Sequence, residues 1–97
     1  MATIINFTPN IANYPIIKNN EIANEIRHAH GTNTLVLYKD GQTYESYGTS
    51  AEIIHDICRT SITYTGDIAT TDFPSNAFDI YTPKLIVKGY KIVILDK

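Results

Sequence analysis

The sequence predicts a single mixed α/β domain, a β-sheet flanked by helices, and three stretches carry that prediction. Asp40-Gly41 separates two runs of strand-forming residues, Thr34–Lys39 and Gln42–Tyr47. That is the pattern of a tight antiparallel hairpin, because glycine takes positive φ without a side-chain clash. After the second run, Thr49-Ser50-Ala51-Glu52 has the form of a capping box at the start of a helix. Lys91–Leu95 is β-branched and almost continuously apolar, as a strand covered on both faces must be.

Taken in order, residues 1–17 are polar-aliphatic and turn-rich, with Pro9 and Pro15, and have room for a short strand near Thr3–Phe7. A first helix is expected from about Asn20 to His28, where Ile22 and Ile26 stand one turn apart beside Ala23 and Gly31 supplies the stop. The hairpin follows. The capped helix should then run to about Arg59, burying Ala51, Ile53, Ile54, Ile57 and Cys58 and turning Glu52, His55, Asp56 and Arg59 to water. Ser61–Thr65 alternates like a half-buried strand, and Gly66–Asp72 reads as an exposed loop. A helix is expected over Ser75–Lys88. Pro83 has no amide to donate to its middle, so the helix either kinks there or restarts with Thr82 as cap and Pro83 in the first position. Gly89 ends it. Leu35, Leu37, Tyr44, Ile54, Ile57, Leu85, Ile92 and Ile94 are the expected core, and the final strand belongs in the sheet's interior.

With 43% hydrophobic and 19% charged residues, the 97-residue chain suits one globular domain over residues 1–97 rather than a disordered tail. Its one cysteine excludes an intrachain disulfide framework and fits a reducing compartment. No apolar run reaches the roughly 18 residues of a membrane helix, and no basic-then-apolar leader opens the chain. The expectation is a soluble, unprocessed, cytoplasmic protein with no membrane partner. A net charge of -2 argues against a generic, sequence-blind nucleic-acid binder. The charge is unevenly placed: Pro83–Lys97 holds four lysines and one Asp, whereas residues 1–82 hold four basic and nine acidic residues. An anion-binding surface should therefore lie toward the C-terminal end, the plain alternative being that Lys84 and Lys88 are a solvated helix face.

Enzyme chemistry finds no support in the pattern. The serines lie in no nucleophile-elbow context, there is no phosphate-binding or dinucleotide glycine pattern, and the acids form no pair placed for proton transfer. No catalytic residue and no cofactor is assigned. His28 with His30, and His55 with Cys58, lack the two close ligand pairs of a closed zinc site, so no metal is assigned either. Cys58 reads as a small buried hydrophobe, and the two histidines as a helix end.

Gly41-Gln42-Thr43-Tyr44-Glu45, the Phe73-Pro74 turn, Tyr81-Thr82-Pro83-Lys84-Leu85 and Gly89-Tyr90-Lys91-Ile92-Val93-Ile94 follow one another in an order that resembles the mismatch-recognition domain (domain I) of MutS proteins, over about residues 33–95. In that family a strand presents Phe and Glu two residues apart, and the resemblance implies that the Phe wedges beside a mispaired base while the Glu bonds to it. Residues i and i+2 of a strand share a face, so the spacing itself makes this possible. The two positions here are Thr43 and Glu45, with Tyr44 turned to the core. Thr43 has no ring and cannot replace lost stacking, worth about 1–3 kcal/mol per base. Tyr47 shares the face of Glu45, and Lys84 and Lys88 stand one helical turn apart where they can meet backbone phosphate. The family's nucleotide-hydrolysing parts are not in these residues.

Two functions fit. One is a stand-alone MutS domain I-like accessory module that binds duplex DNA weakly, or with a partner, without an intact mismatch wedge; its DNA contacts are expected at Thr43, Glu45, Tyr47, Lys84 and Lys88. Such a unit suits a mobile element or phage. The other is a non-enzymatic interaction or structural module, bound to a protein partner or to further copies of itself, that has lost DNA binding.

Overall fold

In the computed structural model, which describes residues 4–7 and 14–97, six strands join in one sheet. The elements in chain order are β1 (Ile4–Phe7), α1 (Ile16–His30), β2 (Thr34–Asp40), β3 (Thr43–Tyr47), α2 (Thr49–Cys58), β4 (Ser61–Thr65), β5 (Ile68–Pro74), a 3₁₀ turn (Ser75–Ala77), α3 (Phe78–Val87) and β6 (Lys91–Asp96). The strand order is β1-β6-β2-β3-β5-β4. β6 pairs in parallel with β1 and β2, and the remaining neighbours are antiparallel. The expected short N-terminal strand is β1; Pro9 lies outside the described residues.

Strand alternation sorts the side chains onto two faces. Leu35, Leu37, Tyr44, Phe73, Ile92 and Ile94 meet Ile54 and Cys58 of α2 and Leu85 of α3 in one cluster. Val36, Tyr38, Tyr47, Val93 and Leu95 meet Ala23, Ile16, Ile22 and Ile26 of α1 in another. The sheet is thus sandwiched, α1 on one face and α2 with α3 on the other. β6 sits inside it because Ile92, Val93, Ile94 and Leu95 are buried on alternate faces. All eight expected core residues belong to the α2–α3 cluster, Ile57 at its half-buried margin.

Four local expectations are corrected. α1 begins at Ile16 rather than near Asn20, because Ile16 packs on the second cluster and Asn19 is buried with its side-chain amide donating to Tyr14 O at 3.2 Å. The capping box does not form: Gly48 is the N-cap of α2, with no side-chain cap bond. Gly48 is needed there, since its φ is +66° and an added Cβ would lie 2.2 Å from Asn20 Oδ1. The polar run after Gly66 is no loop; Gly66-Asp67 is the turn of a β4–β5 hairpin. Its threonines disguise it, but Ala69, Thr71 and Phe73 are buried on one face and the Thr71 hydroxyl is bonded to that of Thr60 at 2.6 Å. Finally, the helix expected over Ser75–Lys88 opens as a 3₁₀ turn and is α-helical only over Phe78–Val87; of the two alternatives at Pro83, the helix continues through it and does not restart at Thr82. The Thr82 hydroxyl donates to Phe78 O at 2.7 Å, a bond made inside the helix. Gly89 ends α3 as expected, with φ +96° and the paired bonds Tyr90 N–H to Leu85 O (3.2 Å) and Gly89 N–H to Ile86 O (2.9 Å) of a Schellman turn.

Two serines close a gap in the sheet. β2 and β3 pair in register only over Tyr38–Asp40 and Thr43–Glu45, so Val36 lacks a β3 partner. The Ser46 hydroxyl donates to Val36 O at 2.8 Å, and Ser50 Oγ accepts the Val36 N–H at 3.1 Å. Both serines are fully buried. Ser46→Ala should cost about 1–3 kcal/mol by leaving a buried carbonyl unpaired, which chemical denaturation would read as a lower midpoint.

Candidate nucleic-acid interface

Thr43 opens β3 directly after the Gly41-Gln42 turn, whose first residue has φ +62°. It lines an open cleft of about 450 Å³ at the end of the sheet, together with Arg59, Thr60, Ser61, Asp72, Phe73, Pro74 and Tyr81. The cleft exists because β4 pairs with β5 only as far as Asp72 while β3 continues to Pro74, leaving Phe73 and Pro74 without a β4 neighbour. Phe73 and Tyr81 form its apolar wall, their rings edge to face at 5.2 Å. Arg59, exposed at the C-cap of α2, has a left-handed backbone with φ 62°. Helix ends at which glycine is the ordinary choice adopt this conformation.

Glu45 shares the sheet face of Thr43 but is not free. Its Oε1 accepts a bond from Lys97 Nζ at 2.6 Å and another from the Tyr47 hydroxyl at 3.1 Å. Tyr47 is buried, with its ring edge to face against Tyr38 at 5.2 Å. It therefore offers no outward ring, contrary to expectation, and instead orients Glu45. Burial pushes the Tyr47 hydroxyl's pKa up, and the Glu45 charge adds to the rise. Burial alone would lower the Lys97 pKa, but the Glu45 hydrogen bond and the neighbouring charges of Tyr47, Glu45 and Asp40 hold it above the ordinary lysine value. Stability from this raised group is complete below the unfolded pKa and lost only as pH rises through the folded one, so the ion pair is intact at neutral pH.

The C-terminal lysines do not make one surface. Lys91 donates to His30 O at 2.8 Å, Lys97 is committed to Glu45, and only Lys84 and Lys88 stand exposed on α3. α3 packs on the face opposite Glu45, so the sheet separates the two halves of the expected site. Tyr81 connects them, since it lines the cleft with Thr43 while Lys84 Nζ lies 5.9 Å from its ring centroid. Among the described residues, the ion pairs are Lys18–Glu21 and those of Lys97, so Arg59, Lys84 and Lys88 carry unpaired charge. Arg59 and Lys97 were not singled out from sequence. A helix-ending arginine and a terminal lysine give no signal until the fold places them beside Thr43 and Glu45.

Of the remaining polar candidates, Cys58 is buried, its thiol bonded to Tyr81 O at 3.8 Å and its pKa raised by burial. His55 Nδ1 is bonded to Thr60 O. No three His, Cys, Asp or Glu side chains converge among the described residues. No helix there is long and apolar enough to cross a membrane.

The class defined by this geometry is a mixed α/β domain with a hairpin strand carrying Thr43 and Glu45 at the sheet's end. Comparison with protein families matches residues 24–97 to MutS domain I, and the chain belongs to that family. Similar curated proteins include the DNA mismatch repair protein MutS of Methanosarcina acetivorans, 34% identical over 66% of this chain, and that of Methanococcoides burtonii, 32% identical over 68%. The MutS of Bacteroides thetaiotaomicron is 32% identical over 65%. In each case the matched segment spans about 8% of the relative's length.

Proposed function

We propose that this MutS domain I associates with duplex DNA through the sugar–phosphate backbone and has lost mismatch discrimination, so that it works weakly or beside a partner that adds basic surface. Domain I is the mismatch-recognition domain of MutS, and the relatives are named as mismatch repair proteins. The observation that carries the reading is the cleft where Thr43 stands in the wedge position with unpaired Arg59 beside it and Lys84 against Tyr81. Arg59 and Lys84 outnumber the single carboxylate of Asp72 there, and a net positive corner suits phosphate, which positions a protein on DNA without reading sequence. Thr43 itself has no ring to part a base step. The reading assigns the domain no catalytic step.

The test is a duplex titration at two salt concentrations with wild type and with Lys84→Ala/Lys88→Ala. Wild-type binding should weaken steeply with salt, and the variant should bind less tightly with a salt slope smaller by about 0.9 for each lysine that meets a phosphate. An unchanged slope would place the contact elsewhere. A second reading, docking to a protein partner, is favoured by Ile80 and Val87, 60% and 84% exposed on the outward side of α3. Absence of duplex binding even at about 50 mM salt would select it.

A further inference from the structure

Lys97 occupies a built site. Its Nζ lies 2.6 Å from Glu45 Oε1, 3.9 Å from Asp40 Oδ2, and 5.7 and 6.0 Å from the ring centroids of Tyr38 and Tyr47. Only 10% of its side chain is exposed. Two aromatic rings and two carboxylates around one ammonium form the kind of cage that proteins use to hold alkylammonium ligands. Here the ligand belongs to the chain itself. The backbone fixes it in place, because Lys97 N–H donates to Lys39 O at 2.9 Å and extends the β2–β6 pairing past Asp96. The Tyr38 hydroxyl is anchored in turn on Asn19 O at 2.6 Å, so one wall of the cage is tied to α1.

The consequence falls on Glu45. Its Oε1 already accepts two hydrogen bonds, one of them charge-assisted, and its side chain is only 25% exposed. A base could reach only Oε2, and the ammonium held at Oε1 already neutralises the carboxylate's charge, so that bond would be weaker than one to an unpaired carboxylate. Bonds to charged groups are also the stronger kind. Thr43 lacks a ring, and Glu45 lacks an unpaired charge; these are separate deficits on one strand face.

We propose that Lys97 is a specificity-determining residue, an internal ligand of the Tyr38–Tyr47–Glu45–Asp40 ammonium site that occupies Glu45 Oε1, neutralises its charge and so weakens Glu45 as an acceptor for DNA bases. This rests on the DNA reading above and deepens it. Restoring a ring at Thr43 then restores only a small part of the discrimination by itself, because Glu45 stays paired with Lys97.

The experiment is a double-substitution cycle with wild type, Thr43→Phe, Lys97→Gln and the double variant, each titrated with a matched duplex and one carrying a single G·T mismatch. Lys97→Gln alone should show no mismatch preference. Thr43→Phe alone should show roughly fivefold or less, the low end of a stacking contact. The double variant should exceed the product of the two by about tenfold, the size of a bond to a charged acceptor. Thr43→Phe/Lys97→Arg, which keeps the cation, should behave as Thr43→Phe. Thermal melts of all five proteins separate lost recognition from lost folding, since a purely structural Lys97 would lower melting temperature without altering the mismatch ratio. Amine acetylation of wild type, followed by mass spectrometry, gives a readout free of DNA: Lys97 should react more slowly than Lys84 and Lys88. Duplex binding with additive mismatch ratios overturns the role of Lys97 alone, and so does Lys97 acetylated as fast as Lys84. Failure of every variant to bind duplex overturns both the DNA reading and this consequence of it.

Discussion

Ile54→Ala should lower stability by about 2–5 kcal/mol, the range for truncating a buried aliphatic residue when the surroundings relax only in part. Ile54 is fully buried on α2, in the cluster that includes Leu35, Leu37, Ile92 and Ile94 of the central strands and Leu85 of α3. Truncation removes contact area from the packing that holds α2 to the sheet. Against the roughly 5–15 kcal/mol available to a domain of this size, the loss is a large fraction. Denaturant unfolding followed by circular dichroism should show a lower midpoint at unchanged slope. Ile80→Ala serves as the contrast, because Ile80 is 60% exposed on α3 and its truncation should move stability by less than about 0.5 kcal/mol. A small effect at Ile54 would mean that α2 is not packed on the sheet.

How far the sequence reveals this molecule depends on how local the signal is. Leu35 with Leu37, and Ile92 with Ile94, repeat at the strand period, and the α2 residues Ile54 and Ile57 lie within one helical turn. Each stripe is therefore readable without knowing its partner. Tyr44 is readable as a core residue for the same reason, lying between Thr43 and Glu45 on an alternating strand. β5 is hidden because Thr70, Thr71 and Asp72 look like loop composition, and the bonds of the Thr71 hydroxyl to that of Thr60 and to Ser61 O explain how a hydroxyl can be buried there. Ser50 looks like a cap by its neighbours, yet it serves a strand 14 residues earlier. The candidate site divides in the same way. Thr43 and Glu45 are found from their spacing, whereas the engagement of Glu45 depends on a contact 52 residues distant. Lys84 and Lys88 are readable as neighbours one helical turn apart, and they fall on α3 and its C-cap, but no pattern in the chain says that the sheet separates them from Glu45.

Thr43→Phe should create a mismatch preference that the natural chain lacks. Thr43 is half-buried at the start of β3 beside an open cleft, so a ring there has room to project from the end of the sheet. A mispaired step costs less to unstack than a paired one, and the inserted ring would recover part of that cost. The gain is bounded by one stacking contact, about 1–3 kcal/mol, and stays near the lower bound while Lys97 holds Glu45. If Thr43→Phe binds both duplexes as wild type does, although both proteins bind DNA, this face does not meet the bases.

The most direct test of the account is the affinity of the unaltered domain for matched and G·T-mismatched duplexes, measured side by side at about 50 and 150 mM salt. The account predicts binding to both that weakens together with salt and differs between them by less than about twofold, since phosphate contacts carry no sequence information. A reproducible mismatch preference in the wild-type domain, maintained at the higher salt, would contradict it.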